Sequence, residues 1–307
     1  MKPPKYTIMD FQKQFPDNET CLKHLFQTHH GHKKCPKCSE AGKYHLQAGT
    51  SHFVCSCGGH QISPKAGTIF EKSDTDLVKW FHAIFLMAQS RNGVAAKELE
   101  RQIGVTYKTA WRMQGQIRLL MQDSPALLSG EVEADETVIG GRKRGGKRGR
   151  VAPGKSIVFG TVERKGKVHT SVVPSVRVAS LMSHINDNVA KGVDLITDEL
   201  SVYKTVARFI DARHRKVRHN DREYGKPDGT HTNTIEGFWS QLKRSLDGTY
   251  HVVSPKYLPS YLSEFQFRYN HARSSDEHLF SFLLSRVALP HVLATQRIAA
   301  YRCLRSA

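Results

Sequence analysis

The chain lacks any long hydrophobic run. Its best apolar stretch, "WFHAIFLMA" at 80–88, is interrupted by His82 and is about half the length needed to span a bilayer. The N-terminus "MKPPKYTIMDFQKQF" has no apolar signal region, so the protein is expected to be soluble and intracellular. Acidic residues are scarce: 28 Asp and Glu stand against 46 Lys and Arg, a formal charge of +18 and a pI near 9.7. That imbalance points to a polyanionic partner, of which nucleic acid is the commonest. A basic membrane-surface protein would show a strongly amphipathic basic helix or a lipidation signal, and neither is evident. Cysteines number six, four of them in close pairs. In a reducing compartment that excludes a disulfide framework. There is no internal repeat, and only "RKRGGKRGR" is compositionally biased.

What is present is enough chain, 307 residues, for about two domains with a small module attached. Four blocks emerge: 1–70, holding the cysteine pairs among short polar and Gly-containing stretches; 71–124, of helical period; 125–275, strand-rich and then mixed; and a C-terminal tail, 276–307, of apolar helical character, for which packing or self-association are the plain roles. The second block opens on "SDTD", an acidic cap region before "LVKWFHAIFLMA". From Gly130 the period shortens, and "GEVEADETVIGG", "SIVFGTVERKG" and "KVHTSVVPSV" read as three consecutive strands. A helix "ASLMSHINDNVAKG", a strand "VDLITDE", a helix "SVYKTVARFIDARH" and a short strand around "KVRHN" follow. The order βββαβαβα implies an α/β fold with a mixed sheet covered by helices.

Cys35-Pro-Lys-Cys38 and, after sixteen intervening residues, Cys55-Ser-Cys57 offer four thiolates at spacing suited to a tetrahedral structural Zn(II) ribbon. Two sulfurs about two residues apart reach one ion across a single turn, and a segment this poor in apolar residues needs a metal staple. The second pair is one residue short of the usual spacing, so His60 is an alternative to Cys57 as fourth ligand. Reduced, unliganded cysteines are the plain reading. His29, His30 and His32 form a weaker alternative cluster, and Cys21 and Cys303 stand alone.

"GVAAKELERQIGVTYKTAWRMQGQIRLLM" reads as a helix-turn-helix. Val94, Ala95, Leu99 and Ile103 line one face, Gly104 permits the turn, Thr106 caps the second helix, and Trp111 and Ile117 form its buried side. The start of that helix presents Tyr107, Lys108, Thr109 and Arg112, suited to phosphate and base-edge contacts in a major groove. An ordinary helical hairpin is the competing reading.

Against so much positive charge, acids that close strands stand out. Asp135 lies in "EVEADET" at the end of the first strand and Asp198 in "DLITDE" at the end of the fourth. In "HTNTIEGFWSQLKR", Glu236 and Lys243 are two helical turns apart on nearly one face, over a stripe of Ile235, Trp239 and Leu242. Taken alone, each acid is a solvated strand end or a surface salt-bridge neighbour. Three carboxylates brought together would repel one another unless hard divalent cations neutralised them. Two Mg(II), or Mn(II), ions held by Asp135, Asp198 and Glu236 would suit in-line attack on phosphorus.

The blocks "EADETVIGG", "ITDELSVYKTV" and "HTNTIEGFWSQLKRSLDGTYHVVSPKYLPSYLSEFQFRYNHA", with "GTIFEKS" and "GVTYKTAWRM" upstream, resemble the IS1595-type (ISXO2-like) insertion-sequence transposases over roughly residues 20–275. The resemblance implies an RNase H-like catalytic domain of the DDE class behind a zinc ribbon and a helix-turn-helix. It implies that Asp135, Asp198 and Glu236 bind metal and that Lys243 meets DNA phosphate near the cleavage point. Some members have asparagine at the third position, and Asn233 lies one turn before Glu236; Glu236 is favoured because a carboxylate holds Mg(II) better than an amide does. Arg142, Lys143, Arg144, Lys147, Arg148 and Arg150 follow the first catalytic strand among glycines, suited with Arg244 to a DNA backbone.

The leading expectation is therefore an enzyme that binds the inverted-repeat ends of its own element, cleaves a phosphodiester and joins the 3′-hydroxyl to target DNA. It would work as a homo-oligomer on double-stranded DNA in a prokaryotic cytoplasm, associated with the nucleoid. A DNA-binding regulator on the same scaffold and a metal-dependent nuclease without strand transfer are the alternatives.

Overall fold

A computed structural model describes residues 6–123, 126–140, 155–217 and 228–288. These divide into two compact units, one built from residues up to Ser90, 96–120 and the described part of the segment from Ser274, the other from 91–95 and 121–273.

The first unit begins with α1 (Ile8–Gln14) and α2 (Asn18–His30), helices in the block read above only as a cysteine module. Their start signals are local. Thr7 accepts from the Asp10 N–H while Asp10 reaches back to the Thr7 N–H, and Asp17 Oδ1 accepts from the Thr20 N–H at 2.7 Å. A small antiparallel sheet of β1 (Tyr44–Leu46), β2 (Phe53–Cys55) and β3 (Gln61–Ile62) follows, and then α3 (Leu77–Gln89). The "SDTD" side chains do not cap α3: Asp76 holds the N-cap position without a side-chain bond, and the Leu77 N–H goes to Asn18 Oδ1 at 2.7 Å. Phe11, Phe15, Trp80, Phe81 and Phe85 are buried here with Phe280 of a helix at Asp276–Ser285. Phe280 lies 5.7–5.9 Å, centroid to centroid, from Tyr6, Phe11, Phe15 and Phe85, so the C-terminal apolar helix completes this core.

Helices α4 (Ala96–Ile103) and α5 (Tyr107–Leu120) are joined by three residues. Gly104 turns the chain with φ +62°, and Thr106 Oγ1 accepts from the Thr109 N–H at 3.3 Å, as its capping position requires. Leu99, Ile103, Ala110, Met113 and Ile117 are buried between neighbours. Two details differ from the sequence reading. Val94 precedes the helix and donates its N–H to Tyr250 Oη at 3.2 Å, and Trp111 is only half-buried.

The second unit is a five-stranded sheet of β4 (Glu131–Ile139), β5 (Ser156–Glu163), β6 (Val168–Val173), β7 (Asp194–Thr197) and β8 (Arg213–Lys216), in the order β6-β5-β4-β7-β8. The first three are antiparallel neighbours, and β7 and β8 add in parallel. The mixed sheet inferred from βββαβαβα is thus present. The last strand is "RHRK", ending at Lys216 rather than centred on "KVRHN", of which 218–220 lie outside the described residues.

One face of the sheet packs α6 (Val178–Asn188) and α7 (Val202–Phe209) through Val132, Ala134, Phe159, Leu195, Leu181, Ile185 and Tyr203. The other packs α8 (Asn233–Ser245), a π-helical turn (Leu246–Tyr250) and α9 (Leu258–Asn270) through Val158, Val162, Ile235, Trp239, Leu242 and Phe265. Strand alternation therefore sends Glu133 and Asp135 toward α8, and Ala134 and Glu136 toward α7.

Candidate active site

Strand register sets one acid and a strand end the other. Asp135 lies in the middle of β4 rather than at its end. The parallel pairing of β7 stops there, however, with Glu133 opposite Ile196. Two residues further along each strand, Asp135 and Asp198 stand level, Asp198 being the first residue past Thr197, where β7 ends. Beyond Glu133, β4 continues with β5 alone, pairing Asp135 with Gly160 and Glu136 with Phe159. The missing flank leaves a notch beside Asp135 into which Asp198 turns.

Asp135, Glu136 and Asp198 bring one carboxylate oxygen each within 4.8 Å of one another. Each acid has a tether. The Trp239 indole N–H donates to Asp135 Oδ2 at 3.1 Å, buried Tyr203 donates to Glu136 Oε2 at 2.6 Å, and the Leu200 N–H donates to Asp198 Oδ1 at 3.0 Å. Burial pushes the Asp135 carboxyl up to about 7, with the negative charges of Glu136 and Asp198 adding to it. Three clustered carboxyls that burial and mutual repulsion penalise as anions suit a divalent cation ligated by oxygen. Glu136 is the residue that sequence reasoning missed. Its only signal in the sequence is its place next to Asp135, on the opposite face of the strand.

Glu236 is not in this group of three. It is exposed on the first turn of α8 and accepts from Thr232 Oγ1 at 2.7 Å. Asn233, Lys243 and Arg244 are also exposed on α8. The helix itself is held over Asp135. Its first turn lacks a side-chain cap of its own, and buried Glu133, from β4, replaces it by accepting from the N–H groups of Thr234 at 2.9 Å and Ile235 at 3.0 Å. Arg164 Nε at 2.9 Å and Thr234 Oγ1 at 2.8 Å satisfy the other Glu133 oxygen. One turn beyond Glu236, Trp239 makes its bond to Asp135.

The four cysteines form a second cluster, with all sulfurs within 4.8 Å and the pairs Cys35–Cys57 and Cys38–Cys55 at 3.7 Å. Tetrahedral zinc with bonds of about 2.3 Å sets its sulfurs about 3.8 Å apart, so the donor set fits. His60 is not in the cluster; its Nδ1 lies 2.7 Å from Tyr44 Oη. At the start of α5, Tyr107 and Lys108 are exposed and Thr109 is half-buried. Arg112 is turned inward, donating to Ser73 Oγ at 3.2 Å with its guanidinium 5.9 Å from the Trp80 ring centroid. Arg142, Lys143, Arg144, Lys147, Arg148 and Arg150 lie outside the described residues.

A five-stranded mixed sheet with register-matched acids on adjacent parallel strands fits an RNase H-like domain of the DDE class. Residues 127–270, just under half of the chain, match the family described as the ISXO2-like transposase domain, and together with the relatives below this match supports an IS1595-type transposase. A protein of Halobacterium salinarum described as an uncharacterized protein in transposable element ISH50 is 27% identical over 252 residues, covering 76% of this chain and 84% of that relative. An uncharacterized transposase-like protein of Haemophilus influenzae is 28% identical over 108 residues, 35% of this chain and 85% of its own length. A chain in the cryoEM structure of a simian T-cell lymphotropic virus intasome in complex with PP2A regulatory subunit B56 gamma is similar over 64% of this chain and 72% of that one, at 11% identity and a TM-score of 0.31, too low to carry an argument. Among the described residues no helix is long and apolar enough to cross a membrane.

Proposed function

We propose that this chain binds the inverted-repeat ends of an insertion sequence and catalyses cleavage and strand transfer at them. The observation that carries the reading is the meeting of Asp135 and Asp198 beside Glu136, at the point where the parallel register of β4 and β7 runs out. Asp135 and Asp198 are the metal ligands in this reading, with Glu136 neighbouring them and Glu236 brought in from α8 when DNA is bound. Asp135 and Asp198 would hold divalent ions, which would supply activation of water or a 3′-hydroxyl and stabilisation of the leaving oxygen.

The chain's own groups do the rest. Lys243, two turns after Glu236 on α8, meets the phosphate next to the scissile bond, and Arg244 with the basic tract at 142–150 holds the backbone further along. The exposed start of α5 reads base edges through Tyr107, Lys108 and Thr109, while Arg112 braces that helix from within. The cysteine cluster holds one structural zinc, which supplies the folding energy that β1–β3 lack.

Incubating the protein with labelled element ends, a plasmid target and Mg(II) tests the reading. Nicked ends joined to plasmid support it. Nicking without joining identifies a nuclease, and binding without nicking identifies a regulator.

A further inference from the structure

Trp239 stands where two independent features meet. Its indole N–H donates to Asp135 Oδ2 at 3.1 Å, and its six-membered ring lies on the backbone of Gly160, the residue paired with Asp135 across β4 and β5. A Cβ on Gly160 would come within 2.6 Å of both Cζ2 and Cη2 of the indole and 3.2 Å of Ile235 Cδ1. Gly160 has no positive φ to explain it. Its lack of a side chain serves the space that the ring fills. A glycine inside a central strand weakens that strand, so the seat is made at a cost that the ring's packing offsets. Trp239 is 4% exposed and belongs to the cluster that holds α8 to the sheet.

We propose that Trp239, seated on Gly160, is a positioning residue: it fixes Asp135 Oδ2 and so the orientation of the whole carboxylate beside Glu136 and Asp198, while setting the rotation of α8. The inference rests on the reading of Asp135 as a metal ligand. An aspartate with one oxygen tied by a buried N–H has one rotamer instead of several, and a metal ligand oriented in this way binds without first losing that freedom. Along α8, Glu236 is three residues before Trp239 and Lys243 four after it, so the same anchor sets both exposed groups one turn to either side of Asp135.

Trp239→Phe keeps an aromatic ring but removes the N–H and the distal ring atoms that meet Gly160. Gly160→Ala keeps the N–H and displaces the ring. Mn(II) binding to the full chain, measured by electron paramagnetic resonance, and end cleavage as a function of Mn(II) concentration are the two readouts, with thermal melting as the check on folding. Each single variant is expected to weaken Mn(II) binding about ten-fold, the lower end for a group that orients a metal ligand. Its cleavage should recover most of the way at saturating Mn(II). Gly160→Ala should add little when placed on Trp239→Phe, because the atoms it strikes are gone.

Unchanged Mn(II) binding in both single variants would overturn the proposal. So would a loss of cleavage that no Mn(II) concentration restores, or fully additive losses in the double variant. Loss of melting cooperativity with unaltered Mn(II) affinity in the folded fraction would reduce Trp239 to packing and would also overturn it. Failure of the underlying reading is distinct: there, Asp135→Asn itself would bind Mn(II) and cleave like the unaltered protein.

Discussion

The two candidate ligand clusters of this protein contrast in how they are built. The cysteine cluster draws its four donors from 23 consecutive residues, Cys35 to Cys57, and closes on itself. The acidic cluster takes Asp135 and Glu136 from one strand and Asp198, 62 residues after Glu136, from just past the end of another, and its side chains are held by Trp239 and Tyr203. A closed set of four soft donors has no position left for a substrate and serves structure; an incomplete set of hard donors leaves positions open and serves chemistry. The difference teaches that a local cluster can be read from spacing, whereas one drawn from distant segments needs the sheet to bring it together.

The largest expected effect falls on the open cluster. Asp135→Asn or Asp198→Asn should lower end cleavage by about three orders of magnitude or more, with binding to end DNA nearly unchanged, since affinity comes mainly from basic side chains. A gel assay of cleavage beside a binding titration checks this, and parallel loss of both would break the division between chemistry and affinity. Next comes the third acid. Glu236→Gln should lose cleavage about a hundred-fold and Glu136→Gln about ten-fold, because Tyr203 already ties Glu136 on the α7 side. The reverse ranking would make Glu136 the third ligand, and loss in Asn233→Ala with a near-normal Glu236 variant would move the role to Asn233.

The closed cluster should respond in stability instead. Elemental analysis of protein purified without chelator should find about one zinc per chain. Cys57→Ala should lose the zinc and lower the first melting transition, while His60→Ala keeps it, because His60 is turned to Tyr44. Zinc retained in Cys57→Ala and lost in His60→Ala would exchange the two roles.

A smaller effect separates the clusters by pH. The folded Asp135 carboxyl is raised to about 7 from an ordinary value of 3.8, so between those values the folded chain binds more protons than the unfolded one. Stability of chelator-treated protein should therefore fall as pH rises through that window, by roughly a few degrees in Tm, and Asp135→Asn should flatten the slope. An identical slope in the variant would show that another group carries it.

The last effect is on DNA reading. Lys108→Ala should narrow the preference for end DNA over random DNA by about 1–3 kcal/mol. Replacing Arg142, Lys143 and Arg144 should instead weaken all DNA alike and make the salt dependence shallower. A salt series on both substrates distinguishes them, and the opposite pattern would move sequence reading from α5 to the basic tract.

By itself the sequence determined what depends on neighbours along the chain. The Cys35–Cys57 set, the Thr106 cap with Gly104 before it, the strand order behind the mixed sheet, and the place of Asp198 at the end of β7 follow from spacing and periodicity, because one turn or one pleat decides them. The Thr7 and Asp17 caps that start α1 and α2 are equally local. Tertiary structure alone decided which acids meet. Asp135 faces Asp198 from mid-strand because β7 stops pairing at Glu133, and Glu136 joins them because carboxylates on opposite strand faces can both reach the notch that this leaves. It also decided that Glu133, one more acid in the motif, is buried as the cap of α8, and that Gly160 is the seat of a tryptophan 79 residues away. Register and the packing of a helix on a sheet are set by contacts between distant segments, and no local pattern records which distant partner a side chain will meet.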